Sequence, residues 1–339
     1  MNNSIDQKIV QAFLDGEVEN IAEPDKKPEH LLTTISHIFL YSKTVYKLYR
    51  KDNENFNRLF VDLSGEDRRS FYEEDFSWNN YYNPLVYKRL SGIKENYSGN
   101  IELCEAVDKD VYDYVIEMER IDMQHNLTEQ LLGGRLTKDD FRKIGYEMTK
   151  RIAEFPHKPK TKDNYYQIYH KLLLEVGEGW AYEADPFIPL DEVKEVMSIL
   201  FKYLESKRNE LSAYTEKDFI FTIDNHSDNI FYRNGVLSFV DVYLPKESWR
   251  IVMPRYNILR LATDVLVLRG ERYANALCAG YAGYYPNEHS EKQFDTFEQI
   301  YMALIKGPYL FIMGKETEAR FDEAKKYWKF IKDSTSQLR

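Results

Sequence analysis

Residues 219–242 read FIFTIDNHSDNIFYRNGVLSFVDV, and the fold turns on this stretch. An apolar run, Phe219 to Ile223, gives way to a polar loop, Asp224 to Asp228. Two further runs, Asn229 to Arg233 and Val236 to Val242, flank Asn234-Gly235. Asn-Gly between apolar runs is among the strongest hairpin signals, because both residues tolerate the left-handed backbone of a tight turn. The expectation is an island of strands, 219–242, with a polar loop at its head and Asp241 near the end of its last strand.

Asp224, His226 and Asn229 share the loop. Asp and Asn are also common turn formers, since they bond to their own backbone. Asp241 argues for more than a turn: it follows Phe239 and Val240 in an apolar strand, where an unpaired buried carboxylate is costly unless it meets a metal or a cation. Phosphoryl transfer uses one acid to orient or deprotonate the attacking hydroxyl, and an amide with a second acid to hold magnesium. Asp224 and Asn229 have the D-x-x-x-x-N spacing of that chemistry. The pattern predicts that Asp224, Asn229 and Asp241 converge.

Outward from the island the pattern is helical: Thr137 to Phe155, Tyr165 to Ala181, Leu190 to Ala213, Arg255 to Leu268, Gln293 to Met313 and Glu316 to Lys332. The N-terminal third differs. A short helix at Lys8 to Leu14 and a charged, proline-punctuated connector at Ile21 to Glu29 precede Ile35 to Tyr41 and Thr44 to Arg50, two β-rich runs that form a hairpin. Lys47 lies on its second strand. An amphipathic helix follows over Gly65 to Tyr82 and a strand over Asp110 to Met118. The helix carries Glu73-Glu74-Asp75, candidate partners for Lys47, although such a charge run is commonly a solvated face. The division expected is an N-terminal lobe, 1–117, and a helical lobe, 118–339.

A chain of 339 residues can bury cores of that size. A net charge of −10 argues against a nucleic-acid partner, which needs clustered Lys and Arg. Two cysteines, Cys104 and Cys278, make no disulfide framework. No apolar run reaches membrane-spanning length and the start has no secretory pattern, so the expectation is a cytoplasmic protein with no membrane partner. No heptad run points to an oligomer, and the oligomeric state stays open.

Together these residues resemble the aminoglycoside phosphotransferase and choline kinase superfamily, whose hallmark is H-G-D-x-H-x-x-N followed by a hydrophobic strand ending in I-D-F or similar. Thr222-Ile-Asp224-Asn-His226-Ser-Asp-Asn229 keeps D-x-H-x-x-N and replaces His-Gly by Thr-Ile. The N-terminal part is similar to an uncharacterised bacterial phosphotransferase-like branch, through Thr33 to Leu40, Val45-Tyr-Lys-Leu48 and Arg68-Arg-Ser-Phe-Tyr-Glu-Glu-Asp75.

The resemblance implies an α+β, two-lobed protein-kinase-like fold, with a small antiparallel-sheet N-lobe and a larger, mainly helical C-lobe. It implies a phosphotransferase that binds ATP or GTP and Mg2+ and phosphorylates a small-molecule hydroxyl. Asp224 becomes the base, with Asn229 and His226 beside it, and Asn229 and Asp241 become the metal ligands. Lys47, Asp75 with Glu74 as runner-up, Ser36, Glu117 and Met118 become the nucleotide-binding residues. Leu261-Ala-Thr-Asp264 resembles a downstream helix whose aspartate is structural. No glycine-rich phosphate loop stands near residues 41–44. Trp180, Tyr182, Tyr243, Trp249, Tyr273 and Tyr281, with Glu178 and Asp185, are candidates for an acceptor pocket. The altered Thr222-Ile223 and the shorter Asp75 motivate an alternative, a nucleotide-binding pseudokinase that acts as a regulatory or interaction module.

Overall fold

The computed structural model describes residues 5–24, 26–33, 35–52, 68–181, 184–185, 187–287, 291–314 and 320–339. They form two compact units, one of Met1–Met123 with Ser238–Pro245, the other of Gln124–Leu237 with Lys246–Arg339. The sheet unit therefore runs past residue 117 and takes in the end of the strand island.

The first unit contains helix α1 (Ile5–Asp15), strands β1 (Glu29–Leu32), β2 (Ser36–Leu40) and β3 (Thr44–Tyr49), helix α2 (Arg68–Tyr82), and strands β4 (Tyr87–Glu95), β5 (Ile101–Glu105) and β6 (Asp113–Glu119). The strands form one antiparallel sheet in the order β1-β2-β3-β6-β4-β5. The expected hairpin is present as β2–β3, with Ile38 opposite Lys47. Residues 65–67 of the expected helix lie outside the described residues, and its remainder is α2. Strands β1, β4 and β5 gave no signal in the sequence: β1 is largely exposed, and β4 interrupts its apolar positions with Lys88, Arg89, Ser91 and Gly92.

Successive residues of a strand point to opposite faces, and β3 is buried on both. Tyr46 and Leu48 pack with Ile9 and Phe13 of α1, Phe39 and Val115. Tyr49 packs on the other face with Tyr72 of α2, Tyr87 and Ile116. Lys47 shares that second face. A lysine placed there is buried whatever its charge, and it needs an acid beside it.

The second unit holds α3 (Leu127–Leu132), α4 (Lys138–Ala153), α5 (Tyr165–Glu175) running into a π-type stretch (Val176–Ala181), α6 (Leu190–Ser206) and α7 (Arg208–Leu211). After the strand island come α8 (Glu247–Arg250), α9 (Pro254–Arg269), α10 (Glu271–Tyr284), α11 (Lys292–Gly314) and α12 (Phe321–Thr335). The expected single helix over 190–213 breaks at Lys207, and α10 was not expected. Among the described residues no helix is long and apolar enough to cross a membrane.

The island itself differs from expectation in two ways. Strand β7 (Ile220–Phe221) pairs with β10 (Ile251–Val252) and not with its neighbour β8 (Ile230–Arg233). Strand β9 (Val236–Phe239) pairs with β8 around Asn234 and Gly235, whose φ values of 51° and 82° are those the turn requires, but it stops short of Asp241. Asp241 follows the strand in a left-handed conformation of its own, φ 51°.

Candidate active site

In the sheet unit the site is built around Lys47. Its side chain is 4% exposed, its ammonium hydrogen-bonds Asp241 Oδ1, and it stands 4.0 Å from Asp75 Oδ2 and 4.6 Å from the Tyr49 ring centre. Asp75 is fully buried and accepts hydrogen bonds from the Tyr49 hydroxyl at 2.9 Å and from Asn79 Nδ2 at 2.8 Å. Burial pushes its carboxyl up, Lys47 opposes this, and the nearby Asp241 adds to the rise. Glu74, the other acid considered for Lys47, accepts from the Tyr243 hydroxyl at 2.6 Å.

The chain around Asp241 is fixed by α2 and β4. Asn83 Nδ2 donates to the Phe239 carbonyl at 2.9 Å, the Tyr87 hydroxyl accepts the Asp241 N–H at 2.7 Å, and Asn79 Oδ1 accepts the Val242 N–H at 2.9 Å. A non-glycine residue at positive φ is strained, and strain of this kind persists where surroundings over-determine it. Here three side chains do so, and they leave the Asp241 carboxylate 44% exposed.

Ser36 lies opposite Tyr49, beyond Lys47 from the β2–β3 turn; it is buried, and its hydroxyl has no hydrogen-bond partner among the described residues. Met118 packs on the Lys47 face of the sheet, while Glu117 lies on the other face opposite Tyr46, 3.8 Å from Arg89. The β2–β3 turn is no open anion cradle. The N–H groups of Lys43 and Thr44 donate to Glu23 Oε1 at 2.8 and 3.0 Å, and the Ser42 hydroxyl with these groups and Lys26 pulls the Glu23 carboxyl down to about 2.

In the helical unit the loop 224–229 is braced at nearly every residue. Arg260 of α9 pairs with Asp224 Oδ1, and Asn229 Nδ2 donates to the Asp224 carbonyl at 2.9 Å. Where the related motif has a histidine, the Thr222 hydroxyl donates to Asn257 Oδ1, and Asn225 Nδ2 donates to the Asn257 carbonyl at 2.6 Å. Asp264 Oδ2 accepts from the Ser227 N–H at 2.8 Å and from its hydroxyl at 2.7 Å, and Oδ1 accepts from Tyr327 at 2.6 Å.

Asp228 meets Lys306 and Arg320, and it accepts from Thr128 Oγ1 at 2.7 Å. Burial acts to raise its carboxyl, but the two cations hold it well below the usual carboxylate range. His226 lies 3.7 Å from Asp224 Oδ2 through Nε2; burial, with Lys306 beside it, holds the imidazole well below its ordinary value.

Asp75, Lys47 and Asp241 thus meet in one unit, and Asp224, His226 and Asn229 in the other. Arg260, Asn257, Lys306 and Arg320 had no motif to announce them. The exception is Asp264, whose position on α9 could be read in the sequence and whose loop-bracing bonds are now visible. Of the aromatic candidates, Tyr273 and Tyr281 are buried, Trp249 donates to Glu175, and the Trp180 side chain and Tyr182 lie outside the described residues.

Among the described residues no three His, Cys, Asp or Glu side chains gather as a metal cage. A carboxylate oxygen such as that of Asp241, in the sheet unit, and an amide oxygen such as that of Asn229, in the helical unit, are each donors of the hard kind that magnesium prefers, and that ion commonly takes one or two protein ligands alongside substrate phosphates.

No family model matches the sequence, and no curated protein does. Solved structures match it over nearly its whole length. Choline kinase LicA of Streptococcus pneumoniae does so over 98% of this chain and 100% of its own, with a TM-score of 0.53 and 13% identity. Amicoumacin kinase hAmiN in complex with AMP-PNP, Ca2+ and Ami covers 98% and 94%, with a TM-score of 0.54 and 11% identity. Choline kinase of Cryptosporidium parvum Iowa II covers 97% and 96%, with a TM-score of 0.50 and 11% identity. The chain has the α+β, kinase-like fold of these proteins, as its resemblance implied.

Proposed function

We propose that this protein is an ATP-dependent phosphotransferase that moves the γ-phosphoryl group to a hydroxyl of a small molecule. The observation that carries the reading is the Asp75–Lys47–Asp241 set: a buried lysine held between a helix acid and an acid 194 residues further along the chain. A buried ion set of this kind is a costly way to stabilise a fold and a useful way to prepare a phosphate site. Its fold, shared with kinases that act on small molecules, supports the same reading.

In this reading Lys47 binds the nucleotide phosphates, kept in place by Asp75, with Ser36, Glu117 and Met118 as further nucleotide contacts. Asp241 and Asn229 hold magnesium, which supplies neutralisation of phosphate charge when bound. Asp224 accepts the proton of the acceptor hydroxyl as the new O–P bond forms, and ADP leaves with the electrons of the broken bond. His226 supports the loop. The setting is cytoplasmic, where nucleotide is supplied, and neither nucleic acid nor membrane is a partner.

One observation favours a second reading. Arg260 pairs with the base itself and occupies one of its carboxylate oxygens. A nucleotide-binding module without turnover would tolerate this.

Calorimetry of Mg–ATP binding to the wild type and Asp241→Ala, followed by turnover with choline, a sugar and an aminoglycoside, separates the readings. The expectation is magnesium-dependent binding that Asp241→Ala abolishes, and a kcat that Asp224→Asn lowers by roughly a hundredfold to ten-thousandfold. Binding with no turnover on any acceptor favours the module, and no nucleotide binding sinks both.

A further inference from the structure

Beyond the motif residues, α11 sends one lysine under the loop. Lys306 is 7% exposed, and its ammonium lies 3.2 Å from His226 Nδ1 and in contact with Asp228 Oδ2. An ammonium has only donors to offer. The Nδ1 atom facing it must therefore present a lone pair, and the ring hydrogen of a neutral imidazole then sits on Nε2. That is the nitrogen turned toward Asp224 Oδ2, 3.7 Å away. The opposite tautomer would set an N–H against the ammonium and leave a lone pair against a carboxylate. Neither the 3.6 Å from Nδ1 to Asp228 nor the 3.7 Å from Nε2 to Asp224 is a hydrogen bond, so the ammonium at 3.2 Å from Nδ1 decides the tautomer.

We propose that Lys306 is a positioning residue which fixes His226 as its Nε2–H tautomer and thereby presents an N–H to Asp224. With Arg260 on Oδ1 and His226 facing Oδ2, the carboxylate of Asp224 is oriented from both sides. Asp228 serves as the counter-charge that allows a lysine to be buried there, and Arg320, 3.2 Å from Asp228 and 2.9 Å from Glu323, completes the set. The charged groups that face His226 are then Lys306 from α11, Arg260 from α9, Arg320 beside α12, and Asp224 and Asp228 from its own loop. The catalytic consequence rests on the proposed phosphotransferase reading; the tautomer does not.

The test uses the full chain labelled with 15N-histidine. Of its seven histidines, His226 is assigned by comparison with His226→Gln, and long-range 15N–1H correlation reads the tautomer directly. The wild type is expected to show Nε2–H. Lys306→Met is expected to lose that single pattern, and because it strands Asp228, the neutral pair Lys306→Met/Asp228→Asn provides a second variant with no uncompensated charge. An Nδ1–H pattern or an imidazolium in the wild type, or an unchanged Nε2–H pattern in both variants, overturns the proposal.

Where the wild type transfers phosphate, the double variant is expected to lose roughly tenfold to a hundredfold in kcat. The KM for ATP should stay within about twofold, a split that general destabilisation would not produce. An intact tautomer signature in a wild type without turnover would remove the phosphotransferase reading and leave the positioning of His226 standing. A changed tautomer with unchanged kcat would remove its catalytic consequence.

Discussion

Asn79 joins two parts of the sheet unit with a single side chain. Its Nδ2 donates to the Asp75 carbonyl at 2.9 Å and to the Asp75 carboxylate at 2.8 Å, while Oδ1 accepts the Val242 N–H. The residue thus couples the acid that holds Lys47 to the segment that carries Asp241. Asn79→Ala leaves a buried N–H without its acceptor, so a loss of about 1–3 kcal/mol in unfolding free energy is expected in urea titration. Calorimetry should show weaker Mg–ATP binding as well, and a variant as stable and as tightly binding as the wild type would contradict this coupling. Asp75 stands out from the acidic triplet 73–75 only through the family resemblance, whereas Lys47 and Asp241 could be singled out in the sequence because each stands in or beside a strand of regular apolar pattern. Arg260, Asn257 and Lys306 could not, because each is an ordinary helix residue whose role comes from packing against a loop more than 30 positions away.

At the level of elements, the helices α4 and α10 approach so closely that only glycine fits at two crossing points. A Cβ at Gly145 would lie 2.1 Å from the Leu277 carbonyl oxygen, and one at Gly280 would lie 2.1 Å from that of Arg142. Both obstacles are backbone, so a side chain there must push the helices apart. Gly280→Ala is expected to cost about 1–3 kcal/mol despite alanine's better helix propensity, and a variant that melts at or above the wild-type temperature would count against this packing. The same small residues explain why α10 escaped notice in the sequence: Ala274, Ala276, Ala279 and Gly280 give a weak apolar rhythm. Long helices with large apolar residues, α4 and α11 among them, stood out. So did the β2–β3 and β8–β9 hairpins, whose signals are local. The pairing of β7 with β10 was hidden because helical turns and two strands intervene in the sequence.

For the molecule as a whole, stability should carry the mark of one buried acid. Glu298 of α11 accepts from the Tyr165 hydroxyl at 3.1 Å and from Tyr169, and burial pushes its carboxyl from 4.5 up to about 8. The folded chain holds this proton where the unfolded chain has released it. The stabilisation is complete below pH 4.5 and drains away as the pH rises toward 8, by an amount on the order of a few kcal/mol. Glu298→Gln keeps the shape and cannot titrate, so its unfolding free energy should fall less across that interval than the wild type's; parallel curves would exclude the effect. A different consequence follows from Ser238–Pro245, which belongs to the sheet unit although residues 124–237 precede it in the helical one. During synthesis the ribosome releases β1 to β6 long before the segment that carries the partner of Lys47. Until residue 245 has emerged, the nascent sheet must keep a buried lysine waiting for Asp241, with Asp75 as its available counter-ion.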